Sequence, residues 1–555
     1  MKKTINNPLH AVREMLEGFV DMNPNQTLFE HENIVIQTRL IEKKTDNVAI
    51  VSGGGSGHEP AQSGYVGEGL LHAAVAGGVF ASPSSDAILQ AIRTSTGTKG
   101  VLLIVANYTG DRLNFGWAAE QARSEGIPVE IVIVADDVSM HETVEKKHRR
   151  GIAGVVFTNK IAGAVSAAGA DLQTVKKVVQ DAVDHIASMG VAFGSCTLPG
   201  LNKPIFELPE GEMELGLGVH GEKGVLRTLQ QPADEVVDRL LEPILHVLNI
   251  KAHDKVALLV NGLGSTTHME LAIITRHALQ HLREQNIFVQ RAWSGNFITS
   301  LDMPGFSISL MRLNDLRLDY LDRPTNAPAW RGDGKIPITR SIYIAPKEAP
   351  IQPASGSRLE PKLYLRDMAL RVADALEKEE HLLTELDCAA GDGDLGLSIL
   401  RGVAAIRALP ASAWENEKQC LKALSETLQK NIGGSSGPLL GVALLSASNH
   451  LDTQLTPTPE ILAEAFIIAA RAVSQLGGAH VGDRSMVDAL YPAAHAFQTA
   501  IKQEQSLRMA LKSAVAAAEF GTKKTASMLP KVGRACYLGE RALGTEDGGA
   551  STPFH

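Results

Sequence analysis

The sequence predicts two unlike halves, an α/β unit followed by an all-α unit. Three observations carry this expectation. Short apolar runs that end in polar, glycine-rich loops recur through the first half, as where Val48-Ala49-Ile50-Val51 enters Ser52-Gly53-Gly54-Gly55-Ser56-Gly57-His58. From Leu363 onward such runs stop, and alanine- and leucine-rich segments with helical spacing replace them. Between the two lies Pro346-Lys347-Glu348-Ala349-Pro350-Ile351-Gln352-Pro353, whose prolines mark a linker. The boundaries so placed are 1-335, a linker at 336-361, and 362-555.

In the first half, Val101–Val105 ends in Ala106-Asn107-Tyr108-Thr109-Gly110-Asp111, Ile131–Val134 ends in Ala135-Asp136-Asp137, and Val256–Val260 ends in Asn261-Gly262-Leu263-Gly264. Buried strands alternating with helices indicate layered, mixed-to-parallel sheets. Open α/β sheets bind ligands at the carboxyl ends of their strands, where these polar loops fall. The distance from Val48 to Val256 leaves room for two sheets. In the second half, Leu421–Leu428, Leu439–Ala447, Ile461–Leu476, Met486–Ala500 and Leu507–Ala517 read as helices of a seven- or eight-helix domain.

Composition excludes several classes. Acidic residues exceed basic ones, 62 to 53, for a net charge of −9, so a nucleic-acid role has no general electrostatic support. Aromatics are only 5% of the chain, too few for a base-stacking surface. Cys196, Cys388, Cys420 and Cys536 are scattered, which suggests reduced thiols in a cytoplasmic protein rather than a disulfide framework or zinc site. No secretory signal and no membrane span are expected.

The candidate chemistry lies in loops. Leu386-Asp387-Cys388-Ala389-Ala390-Gly391-Asp392-Gly393-Asp394 places three carboxylates in one tight segment, read as a loop between two helices. Crowded carboxylates repel unless a hard cation neutralises them, and Mg²⁺ held with substrate phosphates is the usual one; a solvated acidic turn is the alternative. Gly53–His58 lets backbone amides close on a small polar ligand, although it is not a Walker A loop, and a structural turn is equally consistent. Asp111 is placed as a base or hydroxyl-binding group, or as a helix N-cap. His220 stands among small neighbours in Gly216-Leu217-Gly218-Val219-His220-Gly221-Glu222, where a neutral imidazole nitrogen is a competent nucleophile toward a carbonyl. Gly433-Gly434-Ser435-Ser436, Gly477–Met486 and Gly533-Arg534-Ala535-Cys536 add three more loops, and the first, at a helix start, makes an anion site.

Taken together, S-G-G-G-S-G-H-E-P, N-Y-T-G-D, G-x-H-G-E, G-D-G-D-x-G, G-G-S-S-G, G-D-R-S-M and G-R-A-C-Y give the chain a full-length resemblance to the single-chain dihydroxyacetone kinases. The resemblance implies a ketose-binding first domain and a nucleotide- and Mg²⁺-binding helical barrel. It implies ATP-dependent phosphorylation of a small ketose, bound covalently through its carbonyl on His220. Gly55, Ser56, Gly57, His58, Ala106 and Asp111 would line the substrate, with His58 and Asp111 assisting proton transfer. Asp387, Asp392 and Asp394 would hold Mg²⁺. Nucleotide contacts would fall on Leu395, Gly396, Leu397, Ser398, Gly434, Ser435, Ser436, Gly477, Ser485, Met486, Arg534, Ala535 and Cys536. A homodimer is expected. Many relatives carry lysine where this chain has Ala106, and the space gained would admit a tetrose such as erythrulose. Two further readings are a phosphotransfer-coupled assembly, disfavoured by the fusion of the domains, and a ketose-binding regulator without turnover.

Overall fold

The apolar runs of the first half form the centre of two six-stranded sheets. The computed structural model describes residues 3–344, 361–391, 393–452 and 455–552. The chain divides into two units, Met1–Ile344 and Ala345–His555.

The first sheet contains β1 (Gln26–Leu28), β2 (Ile34–Gln37), β3 (Ala49–Ser56), β4 (Ala73–Val79), β5 (Val101–Ala106) and β6 (Val129–Val134), in the order β1-β2-β4-β3-β5-β6. Strands β4, β3, β5 and β6 run parallel, and β1 and β2 form an antiparallel edge. The second sheet contains β7 (Ile186–Ala192), β8 (Glu212–Leu215), β9 (Leu226–Leu229), β10 (Lys255–Gly262), β11 (Phe288–Gly295) and β12 (Gly305–Arg312). Its order is β11-β10-β12-β7-β8-β9. Here only β10 and β11 pair in parallel, and the helix His268–Glu284 makes the crossover between them.

Alternate residues of each strand serve different layers. Ala49, Val51, Val101 and Leu103 pack under helices Ser85–Ser95 and Thr109–Ser124. Val48, Ile50, Leu102 and Ile104 face the opposite way, toward helix Val155–Ala167, and Ala257, Leu259 and Met311 of the second sheet join the same core. That helix is buried all round, as its apolar sequence demands. Its one cation, Lys160, donates to Tyr320 O at 2.9 Å and Arg323 O at 2.7 Å, and burial lowers its pKa to about 8. Helices Ala233–Val247 and His268–Glu284 cover the outer face of the second sheet through Val237, Leu241, Ala278 and Leu282.

In the second unit, eight α-helices of at least 11 residues occur among the described residues: Leu363–Lys378, Glu380–Ala390, Leu395–Arg407, Glu417–Asn431, Ser436–His450, Pro459–Gly477, Val487–Lys502 and Leu507–Thr525. Small residues form the seams. Ala489, Ala493, Ala510, Ala514 and Ala518 share one core, and a Cβ at Gly521 would come within 2.0 Å of Asp488 O. The helices surround an apolar cavity of about 670 Å³. No helix among the described residues is long and apolar enough to cross a membrane. Of the linker read at 336–361, residues 345–360, which carry Pro346, Pro350 and Pro353, lie outside the described residues.

One buried histidine gives the first unit a testable acid sensitivity. His72 Nδ1 accepts from Ile50 N at 3.1 Å, which fixes a neutral ring. Burial, assisted by the charge of Arg39, lowers its pKa from 6.5 to about 3. The unfolded chain therefore takes up a proton that the folded chain refuses between those values. Stability falls as pH drops through this window, by about 1.4 kcal/mol per pH unit from this group. Denaturant midpoints of the α/β unit measured against pH should show this slope, and His72→Gln should flatten it by one proton's worth.

Candidate active site

Residues 55–58, Ala106 and Asp111 lie where the chain leaves β3 and β5, between which the order of the parallel strands reverses, and His220 lies on the connection from β8 to β9. Gly55 has no room for a side chain, since a Cβ would lie 2.8 Å from Ala81 N. Ser56 Oγ donates to Gly77 O at 2.8 Å and ties the loop to β4. Gly57 takes φ +94°, and a Cβ there would stand 2.9 Å from the Phe80 ring. That close approach lets Phe80 stack on His58, with centroids 5.0 Å apart.

The two histidines meet nitrogen to nitrogen. His58 Nδ1 lies 2.7 Å from Thr299 O. A carbonyl only accepts, so Nδ1 carries the proton and Nε2 the lone pair when the ring is neutral. His220 Nδ1 lies 2.8 Å from Glu222 Oε1, and the backbone N of His220 donates to Glu222 Oε2 at 3.0 Å. Here too the proton sits on Nδ1. The two Nε2 atoms are 3.1 Å apart. Two lone pairs at that distance repel, so the contact needs a donor: a proton on the pair, or a hydroxyl of a bound molecule. Burial, with the charge of His220, lowers His58 to about 4, so at neutral pH its Nε2 is an acceptor. Burial alone would raise Glu222, but its hydrogen bond to and attraction for His220 prevail and bring it to about 2.

The loop that carries His220 is held from outside. Arg150 donates to Gly216 O at 2.6 Å and to Asp137 Oδ2 at 2.8 Å, and Ser300 Oγ donates to Val219 O. Phe80 and Tyr108 set their rings edge-on to His220, at 5.2 and 4.8 Å. Asp111 is the third residue of helix Thr109–Ser124, not its N-cap; Tyr108 holds that position. Asp111 is 6% exposed, and among the described residues its Oδ1 has no hydrogen-bond partner. Burial raises its pKa, against the Ser82 hydrogen bond and the charge of His220. Ala106 ends β5, paired with Val134.

In the second unit a cleft of about 420 Å³ is lined by Asp387, Asp394, Leu395, Ser398, Gly434, Ser435, Ser436, Gly477, Ser485, Met486 and Ala535. Gly396, Leu397 and Cys536 do not line it. Leu397 is 60% exposed, and Gly396 packs on the preceding helix, where a Cβ would lie 2.1 Å from Thr384 Oγ1. Asp392 lies outside the described residues, as does the side chain of Arg534. Asp387 belongs to the last turn of helix Glu380–Ala390, rather than to a loop, and its Oδ2 accepts from Asp394 N at 2.9 Å and Leu395 N at 3.2 Å. It thereby caps the next helix and faces the same cleft.

Two charged residues of this cleft escaped the sequence reading. Arg484 is 1% exposed, and its Nη2 donates to Thr545 O at 2.9 Å and Ala542 O at 3.2 Å. Among the described residues its Nε and Nη1 have no hydrogen-bond partner, and Nη1 lies 4.0 Å from Asp547 Oδ2. Burial raises the pKa of Asp547; Arg484 opposes this, while Asp488 and Asp387 add to it. A buried guanidinium with open donors beside several carboxylates fits phosphate oxygens accompanied by a hard cation.

Comparison with known proteins decides the family. Residues 17–329 match the Dak1 domain and residues 389–553 the DAK2 domain. The chain is 38% identical over 567 residues to the triokinase/FMN cyclase of Homo sapiens, covering 99% of this chain and 97% of that protein. The chain belongs to the single-chain dihydroxyacetone kinase family. Another member, the D-erythrulose kinase of Mycolicibacterium smegmatis, is 35% identical and covers 100% of this kinase and 97% of its own length. The crystal structure of the dihydroxyacetone kinase from C. freundii in complex with AMP-PNP and Mg²⁺ matches with a TM-score of 0.64 and 32% identity, covering 100% of this chain and 98% of that one.

The carboxylate that fixes the His220 tautomer was also not assigned from sequence, although G-x-H-G-E places it two residues on. Replacing it tests that function. Glu222→Gln keeps the shape but not the charge, and frees the ring to take the other tautomer. Kinase turnover should fall by roughly 10²-fold or more, with little change in thermal midpoint because the Glu222 side chain is 37% exposed. An unchanged kcat would remove Glu222 from the catalytic arrangement.

Proposed function

We propose that this kinase transfers the terminal phosphoryl group of ATP to a hydroxyl of a small ketose held covalently on His220. The observation that carries the proposal is the His220 ring, with its Nδ1 proton committed to Glu222 and its Nε2 lone pair turned toward His58. Attack of Nε2 on the ketone carbon forms the N–C bond and breaks the carbonyl π bond. The carbonyl oxygen takes a proton from solvent, and the positive charge left on the ring is stabilised by the Glu222 carboxylate. Gly55, Ser56 and Gly57 shape the floor of the pocket. His58 Nε2 accepts from a substrate hydroxyl in place of its contact with His220. Asp111, buried and with one oxygen unpaired among the described residues, takes the proton of the hydroxyl that is phosphorylated. Covalent capture turns a small, mobile ketone into a fixed nucleophile.

In the helical unit, Leu395, Ser398, Gly434–Ser436, Gly477, Ser485, Met486 and Ala535 form the nucleotide cleft, and the donors of Arg484 face the phosphates. Asp387 and Asp394, with Asp392, would hold Mg²⁺, which neutralises phosphate oxygens. Dihydroxyacetone is the first acceptor to test. Erythrulose is the second, because Ala106 adds no bulk to the pocket and a relative 35% identical over the whole chain is a D-erythrulose kinase. The four cysteines are free thiols, in keeping with a reducing cytoplasm. A homodimer is the assembly that the family resemblance implies.

An ATP-to-ADP coupled assay with Mg²⁺, run on dihydroxyacetone, both erythrulose enantiomers, glyceraldehyde and glycerol, tests this function. The ketoses should turn over and glycerol, which has no carbonyl, should not. His220→Ala should cost roughly 10²-fold or more in kcat/KM. An unchanged Michaelis constant for the ketose in His220→Ala would contradict covalent capture. Preference for a tetrose would make Ala106 the specificity position.

A further inference from the structure

The outer face of the second sheet carries a cluster of side chains that the kinase chemistry does not use. Helices Ala233–Val247 and His268–Glu284 lie side by side there, joined by Val237, Leu241, Ala278 and Leu282. At their shared edge Asp234 and Asp238 stand four residues apart on one helix, and His277 and His281 four residues apart on the other. Such spacing puts both members of each pair on one face.

We propose that Asp238, His277 and His281 form a site for a divalent first-row transition ion of the zinc class. One atom converges both rings: Asp238 Oδ1 lies 2.7 Å from His277 Nε2 and 2.7 Å from His281 Nδ1. The ligand-capable atoms of the three residues all lie within 4.8 Å of one another. Zinc takes nitrogen and carboxylate oxygen at about 2.0–2.2 Å in a tetrahedron, so its ligand atoms sit roughly 3.3 Å apart. Slight outward rotation of the rings reaches that spacing.

The second nitrogen of each ring also has an outer contact. His277 Nδ1 faces Asp234 Oδ2 at 3.4 Å and, among the described residues, has no hydrogen bond. Asp234 is itself paired with Arg276. A proton on Nδ1 directed at Asp234 leaves the Nε2 lone pair for a metal. His281 Nε2 lies 2.7 Å from Gln285 Nε2. In that orientation the amide donates, and the His281 proton stands on Nδ1 toward Asp238. Turning the amide about its axis makes Oε1 the acceptor, moves the proton to Nε2, and releases Nδ1 as a ligand. One amide flip, together with a shift of the His277 proton from Nε2 to Nδ1 toward Asp234, thus converts a hydrogen-bonded cluster into three donors with an outer carboxylate and an outer amide, the arrangement that orients metal-bound histidines. The His277 and His281 side chains are 14% and 21% exposed and Asp238 is 46% exposed, so the fourth position opens to water. Two imidazoles and one carboxylate favour zinc, nickel or copper over Mg²⁺, which prefers oxygen donors. An ion held here would tie the two helices together.

The test uses the full chain, stripped with a chelator and titrated calorimetrically with ZnCl₂ in the absence of nucleotide. One equivalent should bind in the wild type and be missing, or weakened about 100-fold, in the H277Q/H281Q double variant. Asp234→Asn should weaken it by roughly 10-fold. Co²⁺ should give the visible absorption bands of a four-coordinate site in the wild type alone. Undiminished kinase turnover with Mg²⁺-ATP shows that the double variant is folded. Anomalous diffraction at the zinc edge, on wild-type crystals soaked in ZnCl₂, locates the ion without any variant. Identical isotherms for wild type and double variant, or no anomalous peak between the two helices, would overturn the proposal.

Discussion

A single proton placement governs the first unit. Glu222 holds the proton of His220 on Nδ1, and Thr299 O does the same for His58, so both Nε2 lone pairs turn to one point. An imidazole that kept its proton on Nε2 would have its lone pair on Nδ1, turned away from the shared point. The surrounding features preserve this arrangement. Burial keeps His58 neutral, the hydrogen bond from His220 Nδ1 keeps Glu222 ionised, and Phe80 and Tyr108 confine the His220 ring. The glycines of β3 and its loop have their place in the same economy of space, because a side chain at Gly57 would displace Phe80 from His58.

The helical unit solves a different electrostatic problem. Asp387, Asp394 and Asp547 line one cleft, and Arg484 is the cation buried there among the described residues. Its guanidinium reaches two backbone carbonyls and, among the described residues, leaves two nitrogens unbonded, a costly state in a protein interior unless a ligand supplies acceptors. Triphosphate oxygens and a hard cation, bound as proposed above, would satisfy both the open donors and the crowded carboxylates. The loop that presents Arg484 is fixed by Asp488, which accepts from Gly482 N at 2.6 Å and Ser485 N at 2.9 Å.

Much of this was legible in the chain itself. Continuous apolar runs marked β3, β5, β6 and β10 because strands buried on both faces have no alternation to dilute the signal. The short strands β1, β2, β8 and β9, three or four residues long, left no such trace. The second sheet is largely antiparallel because its order is set by which connections cross over, and that is not written in any one strand. Asp387 looked like a loop residue because glycines follow it, yet the helix runs on to Ala390 before they take effect. The partners that set tautomers were the least legible. Thr299 is 241 residues from His58, and no local pattern announces a backbone carbonyl. Asp547 and Arg484, 63 residues apart by their numbers, become neighbours only when the helices pack.

Carbon-13 NMR of dihydroxyacetone labelled at its carbonyl carbon, bound to the wild-type kinase without ATP, bears most directly on this account. With His220 Nε2 as the nucleophile, the bound carbon should leave the ketone region and appear as a tetrahedral carbon bearing nitrogen and oxygen. A ketose that binds stoichiometrically yet keeps its carbonyl signal would show that the lone pair aimed by Glu222 is not used for capture, and the central claim would fall.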